Sequence, residues 1–344
     1  MAAQLGISRT TVSLALRNHS SVSEATRLRV RAHADKVGYR SNALVNALMA
    51  HVRTRRMKPT GEVIAYLTIS ATAKDALNTP TNAAYFQGAR EQAEKRGFRV
   101  EVFWLGPRGE NARAQARVLR NRGVRGAILS PVPLNIVPLD LDWNAQPVVA
   151  LGYSFREHEL HRAANNHYMG MLSCYLHLRG LGYHRIGLVL SQESDMRVRH
   201  YWVAGYLTAR QVHGGGCARV LLFSDPDPRR EFMRWFKSNR PDAIIGILPD
   251  PVLDWLEQAK VSLPSDVGYA SVDLAPANTR ISGIRQRSEK IAATAVDMLA
   301  TQIYTNQQGL PETPLLTLVD GTWFEGATVD SRNAGTLVTA NRPY

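Results

Sequence analysis

Covalent catalysis, metal hydrolysis and phosphate cradling leave short motifs, and this 344-residue chain has no G-x-S-x-G elbow, no H-E-x-x-H pair and no G-x-x-x-x-G-K loop. His158, His161 and His167 lie near one another among Arg and Asn rather than paired carboxylates, which predicts a solvated loop and not a metal site. Cys174 and Cys217 are far apart without flanking Cys or His, and read as two buried thiols in a reducing compartment. The run HGGGC at 213–217 sits between a helical and a strand pattern, so a helix cap and turn explains its glycines. No metal or cofactor is expected. Charge carries more information: the formal net charge is +13, and residues 1–58 hold eleven Lys and Arg against two Asp and Glu, a net +9 that leaves +4 for the rest. Cations concentrated in one terminal segment favour a polyanionic partner, because neutralising phosphates releases their counterions.

Acidic membrane could attract the same cations, so the organisation of the segment has to decide. In QLGISRTTVSLALRN, residues 4–18, Gly6 ends one short helical pattern and Ser8 can cap the next, Arg9–Leu16. A helix-turn-helix needs a small residue where its helices cross, a glycine in the turn and apolar residues between the helices. Ala2, Gly6 and Val12 meet these needs, with Met1, Leu5, Ile7 and Ala15 as packing. A third helix is expected from Ser23 to Gly38, with Val30, Ala34 and Val37 on its inner face. Beyond it, Asn42 can cap a short amphipathic helix in which Leu44 pairs with Leu48 and Val45 with Met49. So short a helix is marginal in water and needs a partner to order it.

Together GISRTTVSLALRN, VSEATRLRV and VGYRSNALVNALM resemble the head and hinge of the lactose/galactose-repressor (LacI/GalR) family of bacterial transcription regulators. The resemblance implies that Arg9 and Thr10 begin the recognition helix, that Ser8, Thr11, Ser13, Asn18 and Asn42 are further candidate DNA contacts, and that Leu48 wedges into a minor-groove step. Ser41, Asn46 and Leu14 depart from the family's usual hinge proline, hinge arginine and polar contact residue. The resemblance also implies that several residues of the first helix precede the position of Met1, so that the head as written should fray.

From Glu62 onward, β-rich runs alternate with helical patterns, as in parallel βαβ units. Strands are predicted at Val63–Ile69, Arg99–Trp104, Ala127–Ser130, Val148–Leu151, Ile186–Leu190, Val220–Phe223, Ala243–Ile247 and Val267–Val272. Helices are predicted at Ala83–Arg96, Ala112–Arg122, Tyr168–Leu181, Val203–Val212, Arg229–Ser238 and Glu289–Thr305. The similar passages KRGFRVEVFWL and GLGYHRIGLVL suggest two like-built lobes. At this length more than one core is expected, since single cores rarely outgrow roughly 250–300 residues.

This portion resembles the effector domain of the same family, similar to periplasmic sugar-binding proteins. The implied fold is a small all-α helix-turn-helix head plus an α/β effector domain of two Rossmann-like lobes. The expected division is head 1–40, hinge 41–60, and an effector domain 61–344 with lobes of about 61–152 plus 283–320 and 153–282 plus 321–344. Ligands of open α/β sheets sit beyond the carboxyl ends of strands. On both arguments Asp273, at a strand end, is a candidate ligand contact. DMRVRHYWVAGY matches a segment that usually offers an arginine five residues before its glycine, where this chain has His200, with Arg197 and Arg199 nearby. Phe223 or Trp202 could stack on a sugar face, and Ser70, Ser130, Asn166 and Asp250 are weaker candidates.

The expectation is a ligand-responsive regulator, commonly a repressor, that binds a near-palindromic operator in double-stranded DNA as a homodimer, with a sugar-like molecule between its lobes. No apolar run of about 18 residues and no secretory h-region appears, so a cytoplasmic protein without membrane contact is expected. A periplasmic-type solute-binding protein is the rival, and it leaves the +9 head unexplained. An enzyme on this fold would need a catalytic set that the motifs do not supply.

Overall fold

The computed structural model describes residues 1–16, 21–37, 61–217, 219–224, 227–247, 251–275 and 277–332. The predicted hinge helix, with Asn42 and Leu48, lies outside them, as do Asn18 and Asp250.

Three helices form the head: α1 (Ala2–Leu5), α2 (Arg9–Leu16) and α3 (Glu24–Lys36). Gly6 closes α1 at φ 67°, a left-handed turn that favours glycine, and its N–H returns to the carbonyls of Ala2 and Ala3. Ser8 Oγ accepts from Thr11 N–H at 2.9 Å, as expected of a cap on α2. Ser23 caps α3 by accepting from the Thr26 N–H at 3.4 Å. Val12, Ala15, Val22 and Val30 make the small core. Val37 does not join it: it follows the last turn of α3 and is 48% exposed.

The body contains two six-stranded sheets. In chain order its elements are β1 (Val63–Thr68), α4 (Pro80–Lys95), β2 (Arg99–Trp104), α5 (Ala112–Asn121), β3 (Gly126–Leu129), β4 (Val148–Leu151), β5 (His161–Asn165) and α6 (His167–Gly180). Next come β6 (Ile186–Ser191), α7 (Gln192–Arg197), α8 (Tyr201–His213), β7 (Leu221–Phe223), α9 (Pro228–Asn239), β8 (Ala243–Gly246) and α10 (Val252–Gln258). The chain then runs through β9 (Gly268–Leu274), β10 (Ser282–Arg285), α11 (Ser288–Tyr304), β11 (Leu316–Val319) and β12 (Thr322–Phe324). The first sheet has the order β11-β5-β4-β3-β1-β2 and the second β12-β10-β9-β8-β6-β7. Among the described residues, neighbouring strands pair in parallel except β10 with β12. Parallel sheets are covered on both faces, and here apolar clusters occupy both sides of each sheet.

The chain passes between sheets three times: between β5 and α6, between β10 and α11, and between β11 and β12. Two of these passages correct the expected boundaries. β5 pairs with β4, so the first passage follows Asn165 rather than residue 152, and β10 pairs with β9, so the second follows Arg285 rather than residue 282. The reason is that β5 reads HRAAN, too polar for a buried strand pattern; Arg162 is accommodated by donating to the carbonyls of Gly152 and Phe155. The histidine triplet is also corrected: His161 lies within β5, and His167 starts α6 as a buried residue.

In the first lobe α4 and α11 lie side by side, in contact at Gly88. A Cβ there would stand 2.2 Å from the Glu289 carbonyl oxygen, so only glycine admits this approach.

Candidate functional site

Two regions hold the predicted contacts. In the head, the Ser8 and Thr11 hydroxyls bond to each other at 2.8 Å at the start of α2. Arg29 donates to the Leu5 carbonyl at 2.6 Å and His33 Nε2 meets Gln4 Oε1 at 3.0 Å, which ties α3 to α1. Arg9, Thr10 and Ser13 belong to α2, while their side chains lie outside the described residues.

The second region lies around the first crossing, where side chains of the two sheets come near one another, and it is read as the cleft between the lobes. From the first lobe come Tyr66 and Thr68 of β1, Tyr85 of α4 and Asn165 of β5; His167 stands at the first crossing; Trp202 of α8 and Asp273 of β9 come from the second lobe. Asn165 donates through Nδ2 to the Tyr85 hydroxyl at 3.5 Å. Tyr66 Oη, Thr68 Oγ1, Asn165 Oδ1, His167 Nδ1 and Trp202 Nε1 are buried without a hydrogen-bond partner in the protein. A buried polar atom left unpaired costs about 1–3 kcal/mol, so five in one region mark a place that internal water or a polar ligand would occupy. A ligand bearing hydroxyls, able both to donate and to accept, fits that description.

Electrostatics separate the two lobes' contributions. Burial raises the Asp273 carboxyl to about 6, and the same carboxyl, after burial, pushes the Tyr85 hydroxyl further up. Burial holds His167 down at about 3, so its imidazole is neutral and offers one donor and one acceptor. Rings complete the wall: Tyr153 and His167 have centroids 5.7 Å apart, and His167 meets the edge of Trp202 at 4.9 Å.

The other predicted ligand residues take varied places. Ser70 turns its hydroxyl onto the Thr72 carbonyl at 2.8 Å, and Ser130 is buried just after β3. Asn166 caps α6 and donates to Asp320 at 2.8 Å, which fastens two crossings together. His200 precedes α8, is 64% exposed and pairs with the buried Asp195 at 2.7 Å. Arg197 ends α7, half-buried. Phe223 packs edge-on against Trp255 at 5.6 Å within the second lobe, whereas Trp202, buried in that lobe's core, meets His167 at the first crossing. Sequence reasoning missed Tyr66, Thr68, Tyr85, Asn165 and His167; AANNHY drew attention to Asn166, one residue from two of them.

Among the described residues no group of three His, Cys, Asp or Glu is placed to hold a metal ion, and no helix is long and apolar enough to cross a membrane.

Residues 1–42 match the profile of bacterial regulatory proteins, lacI family, and residues 175–323 match that of a periplasmic binding protein-like domain. No curated protein matches the chain by sequence. Similar solved structures include a transcriptional regulator CelR–cellobiose complex, with 18% identity, covering 95% of this chain and 98% of that one at a TM-score of 0.58. A LacI family transcriptional regulator from Enterococcus faecium with bound ribose has 15% identity, covering 79% of this chain and 100% of that one at 0.58. The lac repressor dimer bound to operator and the anti-inducer ONPF has 17% identity, covering 96% of this chain and 97% of that one at 0.57. At such identities the likeness is one of fold.

Proposed function

We propose that this chain, which belongs to the lacI family of bacterial regulatory proteins, is a DNA-binding repressor whose operator affinity is set by a small polyhydroxylated ligand between its lobes. The observation that carries the reading is the union of a net +9 lacI-type head with a cleft in which five buried polar atoms lack partners. The relatives of like fold include complexes with cellobiose, with ribose and with operator DNA, in keeping with this assignment. The chain works as a cytoplasmic homodimer, one head on each half of a near-palindromic site. Arg9 and Thr10 read base edges, Leu48 wedges the minor groove, and Asp273, Asn165, His167 and Trp202 hold the ligand.

Coupling follows from differential affinity. A ligand that bridges Asn165 in one lobe and Asp273 in the other favours one interlobe angle, and DNA affinity changes only by the difference in its affinity for the two arrangements, typically about 1–3 kcal/mol. The family consists of transcription regulators, and the cleft is read as a binding site without a catalytic role.

The test is a titration of operator fragments, selected from random duplex DNA, against the full chain with and without cellobiose or ribose over a salt series. Affinity should fall steeply with salt, with a log–log slope of several units, and a bound sugar should shift it by about 5–150-fold. Salt-independent binding, or no selected sequence at all, would overturn the reading.

A further inference from the structure

At the side of the cleft, the segment 152–160 of the first lobe meets the junction of α7 and α8 in the second. Arg156 donates to the Met196 carbonyl, and the Tyr153 and Tyr201 rings lie 5.1 Å apart. Arg199 and His200 both have positive φ, 55° and 63°, a conformation that costs a non-glycine residue about 1–3 kcal/mol and persists only where its surroundings enforce it. The enforcing group is Asp195: fully buried, it accepts from the backbone N–H of Val203 at 3.2 Å and meets the His200 ring, while its carbonyl accepts from the His200 N–H at 2.9 Å. This strained turn carries Arg199 toward the first lobe.

Facing it is Arg162 of β5. Its side chain is only 4% exposed; Nη1 donates to the carbonyls of Gly152 and Phe155, but Nη2 has no hydrogen bond. Burial, and then the neighbouring Arg199 charge, hold its pKa below the usual arginine value. One carboxylate serves both guanidiniums: Glu159, 59% exposed, lies 3.3 Å from Arg199 and 3.7 Å from Arg162. Neither contact is the two-bond fork that arginine makes with a well-placed oxyanion. Two cations from opposite lobes are thus drawn together around a single carboxylate that is more than half exposed and held by one hydrogen bond, from Arg199.

We propose that the Arg162–Arg199 seam is an oxyanion site, where a phosphate or carboxylate group replaces Glu159 and bridges the lobes. The inference deepens the reading of the cleft as an effector site and rests on it. Glu159 alone carries one negative charge against two guanidiniums, whereas a doubly charged phosphate matches both and leaves Glu159 to solvent. The oxyanion is either part of the effector, as in a sugar phosphate or sugar acid, or a separate free anion.

Thermal-shift and calorimetric titrations of the full chain with inorganic phosphate, against chloride at equal ionic strength, test this. Phosphate should stabilise the chain saturably. Glu159→Gln, which removes the internal competitor, should tighten phosphate binding severalfold, whereas Arg199→Gln should weaken it by at least about tenfold, as expected for loss of a charge-assisted pair. Arg162 is left in place because it also anchors 152–155. Glucose 6-phosphate binding far tighter than both phosphate and glucose assigns the anion to an effector; equal binding of glucose 6-phosphate and phosphate assigns it to a free anion. Either result supports the site. No saturable phosphate effect on Glu159→Gln, or unchanged binding by Arg199→Gln, overturns it. Sugars that still shift operator affinity in that event would leave the repressor reading standing and remove only the seam.

Discussion

Replacing Asp273 by Asn should make the protein more stable while weakening its hold on ligand. The carboxyl is raised from 3.8 to about 6 by burial, so above that pH the fold carries a charge it would rather not bury. The folded chain therefore takes up this proton before the unfolded chain does, and the contribution of Asp273 to stability falls as pH rises from about 4 to 6, then stays level. At roughly 1.4 kcal/mol per tenfold change in proton affinity, the cost near neutral pH is about 3 kcal/mol at most. An amide of the same shape carries no such cost. Melting followed by differential scanning calorimetry at several pH values should show parent and Asp273→Asn converging near pH 4, with the variant higher by about 5–10 °C at pH 7.5, taking roughly 2–4 °C per kcal/mol for a body of this size. Calorimetric titration of a sugar that stabilises the parent should show weaker binding by the variant. A variant that melts lower than the parent at pH 7.5, or a gap that does not grow between pH 4 and 6, would falsify the claim that this carboxyl is held in the cleft at the expense of stability.

His167 works in the opposite direction. Its folded value of about 3 lies below the usual 6.5, so stability is complete above 6.5 and is lost as pH falls toward 3; His167→Gln should remove this acid slope, measured as urea midpoints at pH 4.5 and 7.5. In the parent the two slopes cancel between about pH 4 and 6, and Asp273→Asn should expose the histidine's alone. Trp202→Phe deletes the unpaired indole N–H; it should leave melting nearly unchanged and lower affinity for a hydroxylated ligand by about 1–2 kcal/mol, and an unaltered Kd would remove Trp202 from the site. Gly88→Ala forces α4 from α11 and should cost about 1–3 kcal/mol in denaturant unfolding, whereas a neutral result would mean that the helices part without strain.

Legibility from the sequence followed the strength of local pattern. The strands Arg99–Trp104 and Val148–Leu151 stand at their predicted limits, since β-rich runs bounded by glycine or proline admit few alternatives. β5 was not predicted because HRAAN owes its strand to pairing with β4 and β11 on either side, a tertiary cause with no local signal. β11 and β12 are short edge strands with the same difficulty. In the cleft, Asp273 was legible because it ends an obvious strand. Tyr66 and Tyr85 were not, since a tyrosine within an apolar run is indistinguishable from core until its hydroxyl is seen to lack a partner. The histidines misled for a related reason: polar neighbours suggested solvent, whereas His167 starts the first helix of the second lobe, at the crossing, and is buried by its surroundings.

The close meeting of α4 and α11 also bears on how motion travels. Only Gln286 and Arg287 separate β10 from α11, directly beyond a passage between the lobes, and at Glu289, in its first turn, α11 already touches Gly88 backbone to backbone. At this crossing no side chain lies between the two backbones, although Ala89, Ala93, Ala292 and Ala295 are packed into the same core cluster along the helices. At that point the two helices have no side chain between them to absorb a shift, so a displacement of the start of α11 must be followed by α4 or must break the contact.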